Sequence, residues 1–250
     1  MTFWVLVAVM VAVSCSVKED RGDCPCYLEL DCSELDRAFV DVEGVAERFS
    51  FGDLIRAEEY GSLHEYQVPR GELRLIINGI IGKMIVWDSR FLPWEGQQMD
   101  SLFARSVLLD TRCDGVREVL RLNKQFATVT LAFAGGEDGC EVVFRGNVCG
   151  VDPLKLEPYP GPFRFTSRAD PAGEFSVRVP RQLDDSLVAE VYRDGHYVET
   201  VPVGVLIERA GFDWTSEDLG DVRIEADLPA GAFSVTVMDW LGPERMSVMI

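Results

Sequence analysis

Apolar residues in this chain recur at every second position, and that period restricts the fold more than any other feature. Leu28, Leu30 and Cys32 alternate with Glu29 and Asp31, and Leu73, Leu75 and Ile77 with Arg74. Ala127, Val129, Leu131 and Phe133 alternate with Thr128 and Thr130, and Val142 and Phe144 sit between Glu141 and Arg145. The pattern returns at Phe175, Val177 and Val179, at Val222, Ile224, Ala226 and Leu228, and at Phe233, Val235 and Val237. Residues two apart share one face of a strand, so each run describes a strand buried on one side and wet on the other. Asp194-Gly195 separates the runs Leu187–Arg193 and His196–Val203 as a two-residue hairpin turn. Helical periodicity is confined to Asp53–Tyr60, two turns with Asp53 as cap, and to a single turn at Ser216–Leu219. Many short strands, frequent Gly and Pro turns and almost no helix predict an all-β chain built of antiparallel β-sandwiches.

The N-terminus sets the compartment. Phe3 to Val13 is an unbroken apolar run that ends in Ala12-Val13-Ser14-Cys15. It is too short to span a bilayer, which needs about 20 apolar residues, and small residues before a cut mark a secretory signal. The last four residues resemble a bacterial lipobox, in which the cysteine is acylated and becomes the new N-terminus. Met1 to Trp4 departs from the usual pattern in holding no Lys or Arg. The expectation is a signal peptide over 1–14, lipidation at Cys15, and a charged, solvated tether over 15–23.

Cleavage would remove no charged side chain, so the mature chain keeps the net charge of −18. Such an excess of negative charge repels phosphate backbones and disfavours nucleic acid as a partner. Cys24, Cys26, Cys32, Cys113, Cys140 and Cys149 remain after Cys15. An even number in an exported chain predicts disulfides, whose pairing sequence alone leaves open. Cys24 and Cys26 point the same way in an extended chain and suit different partners, while Cys140 and Cys149 flank a short strand-turn segment as a local pair. A structural metal is not expected, because there is no C-x-x-C and only two histidines, His64 and His196.

The strands fall into two sets, separated at Thr111-Arg112-Cys113-Asp114-Gly115. Two sandwiches are therefore expected, over 24–115 and 116–250. The stretch Pro153 to Pro162 reads as a long loop inside the second.

The stretch Lys18-Glu-Asp-Arg-Gly-Asp-Cys-Pro-Cys-Tyr-Leu28, directly after the lipobox, resembles the start of the fimbrial anchor lipoproteins of Bacteroidota, the minor-subunit family related to the fimbrillins. Val68-Pro-Arg-Gly71 with the strand Glu72–Ile77 is similar to that family's proline, basic, glycine and strand element. Leu122–Leu131 resembles the strand that opens its second domain, and Phe175–Arg181, Val201–Gly204 and Asp239-Trp240 resemble later elements. The resemblance implies two transthyretin-like sandwiches in tandem on a lipid tether. It implies a protein that fixes a fimbrium to the outer membrane, limits its length and binds a fimbrillin-like shaft subunit by strand complementation. Glu19 and Asp20 resemble a surface-export signal, which would place the chain on the cell surface.

No catalytic constellation stands out. Neither histidine has a nucleophile elbow nearby. Asp184-Asp185 reads as a loop and Glu58-Glu59 as a solvated face. Gly135-Gly136-Glu-Asp-Gly139 lacks the Lys-Ser/Thr of a phosphate cradle. The chain is expected to be neither an enzyme nor a cofactor carrier. The rival reading is a surface glycan-binding lipoprotein. Among Trp87, Trp94, Trp214 and Trp240, Trp87 and Trp94 flank a loop and would be its stacking platform.

Overall fold

The structure, a computed structural model, describes residues 24–81, 85–87, 90–92, 95–134, 139–152, 154–238 and 245–249. Cys15, Trp94, Trp240 and the tether lie outside them. The chain is all-β, with four sheets and one α-helix among these residues.

The first half supplies β1 (Cys26–Asp31), β2 (Phe39–Ala46), β3 (Phe49–Arg56), β4 (His64–Val68), β5 (Glu72–Ile81), β6 (Ile85–Trp87), β7 (Arg90–Leu92), β8 (Ser101–Asp110), β9 (Gly115–Val119) and β10 (Asn123–Lys124). One sheet runs β4-β1-β9 and a second β10-β8-β5-β2-β3. They bury a common core of Leu28 and Leu30 from β1, Val40 and Val42 from β2, Leu73, Leu75 and Ile77 from β5, with Ile55 and Leu109. Each such side chain contributes about 1.5–3 kcal/mol when fully withdrawn from water. This is why the period-two runs decide the fold.

The second half supplies β11 (Phe126–Phe133), β12 (Cys140–Val151), β13 (Pro158–Arg168), β14 (Glu174–Pro180), β15 (Val188–Arg193), β16 (His196–Val201), α1 (Val203–Arg209), β17 (Asp221–Asp227), β18 (Ala232–Met238) and β19 (Arg245–Met249). Its sheets run β14-β11-β17-β18-β19 and β16-β15-β12, with β13 along the other edge of β12. The β6–β7 hairpin joins the latter sheet through Phe91 opposite Val151. Phe144, Phe175, Val129, Leu131, Val177 and Ile224 are fully buried in the larger core between them. A third, small cluster of Met99, Leu102, Phe103, Phe126 and Val151 draws on both halves.

The sheets are not purely antiparallel. β1 pairs in parallel with β9, and β11 in parallel with β17. Parallel neighbours need a long crossover, and here nearly the whole of each half intervenes.

Four other expectations are corrected. Asp53–Tyr60 is not helical up to Arg56. Its first part belongs to β3, which pairs residue for residue with β2, and only Ala57–Glu59 forms a 3-10 turn. Phe51 packs directly over Gly44, where a Cβ would stand 2.1 Å from the ring. The expected turn at Ser216–Leu219 is not helical, and the helix lies instead at α1. There Val203, Leu206, Ile207 and Ala210 turn one apolar face to the core. Gly211, at φ +78°, closes it, with its N–H donating to Glu208 O and that of Phe212 to Ile207 O. The Pro-rich stretch is a loop only as far as Glu157, because β13 starts at Pro158. Cys140 and Cys149 lie nine positions apart on the single strand β12, roughly 30 Å at the rise of a strand, and cannot pair. The Asp194-Gly195 turn has the expected form, with both residues at positive φ.

Candidate functional site

In an open sheet the outer strands carry unpaired backbone groups, and those edges are where another chain can add a strand. The candidate site is therefore found by asking how each edge is occupied. β13 is protected by Pro158, Pro160 and Pro162, which have no N–H to offer. β14 is covered by groups from elsewhere. Arg178 N–H donates to Gln98 Oε1 at 2.9 Å, Met99 N–H donates to Arg178 O at 3.0 Å, and Ser167 Oγ donates to Ser176 O at 3.1 Å. β9 is partly capped, since Arg105 Nη1 donates to Val119 O at 3.2 Å and to Glu118 at 2.8 Å.

The other outer strands among the described residues are β3, β4, β6, β10, β16 and β19, of which β3 and β16 contrast most. β3 is in unbroken register with β2 over eight residues. β16 is wet on both faces, with Tyr197 59% and Val198 45% exposed. The pairing of β16 with β15 shifts register at Val198, and the bulge bends the strand there.

The two halves meet in a buried polar cluster. Gln125 N–H donates to Leu102 O at 3.0 Å and its Nε2 donates to Ala104 O at 3.1 Å. Arg181 is nearly buried and spends its guanidinium on Gln125 Oε1, Trp214 O and Glu217 O at 2.7–2.9 Å. Burial holds its pKa below the usual arginine value. Lys124 is 1% exposed and reaches Asp221 Oδ1 at 2.5 Å, the same oxygen that accepts from Thr128 N–H at 2.6 Å. Beside this cluster lies a cleft of about 500 Å³ lined by Arg105, Asn123, Lys155, Gln182 and Trp214. All three guanidinium nitrogens of Arg181 are engaged by carbonyl oxygens, which fixes the loop that bears Trp214 and Glu217.

A second polar node holds the start of the fold. Arg70, the basic residue of Val68-Pro-Arg-Gly71, donates to Cys24 O at 2.8 Å, to Arg112 O and to the Asp114 carboxylate. The turn between β4 and β5 thereby grips both the segment before β1 and the turn between β8 and β9. Sequence reasoning singled out this motif without assigning Arg70 that task.

The other singled-out residues are dispersed. Among the described residues no two cysteines are bonded to each other. Cys26 and Cys32 are buried on and just after β1, Cys24 and Cys113 are exposed, and Cys140 and Cys149 belong to β12. Trp87 ends β6, but its side chain, like Trp94, lies outside the described residues. Trp214 packs edge-on against Phe212 at 4.6 Å, as part of the core. His64 contacts Glu59 O at 2.9 Å and His196 contacts Asp194 O at 3.1 Å, far from one another in the fold's connectivity. Asp184 accepts from Ser186 and Asn147 and shapes a loop.

No family model matches the sequence, and no curated protein matches it. Solved structures do. A protein of Bacteroides thetaiotaomicron described as a "putative adhesin" superposes with a TM-score of 0.57 at 11% identity, covering 91% of this chain and 98% of its own. The fimbrial anchor protein Mfa2 of Porphyromonas gingivalis gives 0.54 at 10% identity, covering 89% and 99%. A Bacteroides thetaiotaomicron structure described as "putative polysaccharide binding proteins" gives 0.54 at 13% identity, covering 90% and 98%. The chain therefore has the fold of Bacteroidota proteins described as adhesins and as a fimbrial anchor. This is the group that the Cys-Pro-Cys stretch resembles.

Proposed function

We propose that this chain is a non-catalytic lipoprotein that anchors the base of a fimbrium to the outer membrane. The observation that carries the reading is the likeness in fold to a fimbrial anchor protein over 99% of that protein's chain. The lipobox supports it: acylated Cys15 would hold the chain to the membrane, facing the cell surface, and residues 15–23 would be the tether. The shared plan of the two halves supports a pair of transthyretin-like sandwiches. In each, a central strand lies between one antiparallel and one parallel partner, β1 between β4 and β9, β11 between β14 and β17. We put the division near Gln125, about ten residues beyond the turn at Gly115, because β10 pairs with β8 and β11 with β14.

The shaft subunit would add a strand to an edge that the chain itself leaves unoccupied. β16 is our candidate acceptor, because it belongs to the half further along the chain from the tether and exposes Tyr197 and Val198. Main-chain hydrogen bonds would supply affinity and alternate side chains the register. Capping a fimbrium at its base in this way also limits its length.

The test is a pull-down with tagged full-length chain from intact cells, extracted in mild detergent. A strand-complemented subunit survives extraction, so recovery of a fimbrillin-like protein is expected. Recovery of sugar-uptake proteins, with binding on a glycan array that Trp94→Ala abolishes, would favour the glycan-binding reading instead. That rival draws on the neighbour described as polysaccharide-binding.

A further inference from the structure

The node around Arg70 brings two thiols together. Cys26 opens β1 and is fully buried, while Cys113 is exposed in the turn between β8 and β9. Tyr27 N–H donates to Asp114 O at 3.0 Å, and the parallel register of β1 and β9 starts with Tyr27 opposite Gly115. One step back along that register sets residue 26 opposite residue 114, next in the chain to Cys113, and Cys113 is a close side-chain neighbour of the Cys26 thiol. Cys113 Sγ also lies 3.3 Å from Gly115 O, which keeps the turn folded back on itself. Cys24 is held in the same node through its carbonyl, which accepts from Arg70 at 2.8 Å.

We propose that Cys26 and Cys113 close a disulfide that clips the start of β1 to the turn between β8 and β9. The oxidant is another disulfide, that of a thioredoxin-type oxidoreductase of the cell envelope, or glutathione disulfide in vitro. Cys113, being accessible, attacks one sulfur as its thiolate and forms a mixed disulfide, releasing the first thiol. Cys26 then attacks the Cys113 sulfur and releases the second. One S–S bond forms and one breaks, the two cysteines are oxidised, and their protons end on the two thiols of the reduced oxidant, both on one oxidoreductase or one on each of two glutathiones. Burial raises the Cys26 pKa, with the neighbouring Cys113 adding to it, so Cys113 is the thiol that reacts first.

The consequence follows from position. The bond closes most of the first half into a covalent loop, at the point where a tether would enter the fold. On the anchor reading, any pull from the membrane reaches β1 through Cys24 and Arg70, and the disulfide carries it onward to β8 without relying on hydrogen bonds. This consequence rests on that reading, but the bond itself does not.

The experiment is a thiol map of the full chain, exported or refolded with glutathione disulfide, alkylated under denaturing conditions without reductant and digested with trypsin. Cleavage after Arg112 and Arg117 isolates Cys113 on its own peptide. That peptide is expected to be linked to the one bearing Cys26, and to separate on reduction with the gain of two hydrogens. The link persists in Cys24→Ser and Cys32→Ser and disappears in Cys26→Ala. If Cys26→Ala does not fold, Cys113→Ala, at an exposed position, serves. In that variant Cys26 is recovered alkylated, whereas the parent chain shows it blocked. Alkylated Cys113 in the oxidised parent chain, or a link lost in Cys24→Ser, would overturn the proposal.

Discussion

β1 and β11 occupy the same place in their halves, and opposite means hold them there. Each lies inside its sheet between one antiparallel and one parallel neighbour, and the parallel partner comes from late in its half. Beyond β17 the sheet continues through β18 and β19, whereas β9 is the last strand of its own sheet. The parallel pair of the first half is tied by an exposed ion pair: Arg117 reaches Asp31 at 2.7 Å and Glu29 at 3.6 Å. At the corresponding place in the second half, Asp221 at the start of β17 meets a buried Lys124 that reaches across from β10, and also accepts from Thr128 N–H of β11. An exposed pair is solvated with or without its partner, so losing it matters little. A buried charge whose carboxylate is removed keeps its desolvation cost and loses its main compensation. The two halves share a topology, yet the second has a clasp that is all-or-none and the first one that solvent conditions can loosen.

Removing the buried clasp should do the most damage. Asp221→Ala leaves the Lys124 ammonium buried without its carboxylate and is expected to cost about 3–5 kcal/mol in chemical denaturation. Replacing both residues together with apolar side chains should restore much of that loss. A double-replacement chain no more stable than the single variant would show that the pair is not the clasp. Next comes the apolar support of β1. Leu28→Ala, at a fully buried position, should cost about 2–5 kcal/mol and lower the hydrogen-exchange protection of β1 and β9 more than that of β11 and β17. Equal losses in both halves would contradict two separate cores.

The smallest effect concerns pH. Hydrogen bonds from Arg117, then from Ser33, hold the Asp31 carboxyl down at about 2, against an ordinary 3.8. A carboxylate with a lowered folded-state pKa stabilises the fold above its ordinary pKa, and that contribution fades as pH falls through the lowered one. Asp31→Asn should therefore flatten stability against pH between about 4 and 2, with little change at pH 7 in high salt. An unchanged acid limb would remove Asp31 from the account.

The alternation made β1, β5, β11, β12, β14, β17 and β18 legible, because each carries apolar residues at every second position over part of its length. The elements that were misread break that rule for physical reasons. In β3 the buried positions are few and Phe51 is accommodated by Gly44 on the neighbouring strand, a fact only pairing reveals. In β13 prolines that usually mark a loop instead protect an edge. In α1 the Pro-Val-Gly sequence looks like the end of a strand, although Ala210-Gly211 carried the stop signal of a helix. The candidate site was the least legible part. Whether an edge is open depends on distant groups, such as Gln98 and Met99 closing β14, and no local pattern announces them. Arg70 shows the same limit: its motif was visible, but its partners Cys24, Arg112 and Asp114 come from opposite ends of the first half.

The most direct test of the anchor reading is to replace Cys15, the residue proposed to bear the lipid, in a fimbriated cell and ask where the fimbriae go. With Cys15→Ala, export should continue, the chain should appear in the soluble fraction, and fimbriae should be shed into the medium, longer than those of the parent. Fimbriae that remain attached at their usual length, while the variant chain is soluble and intact, would contradict the account.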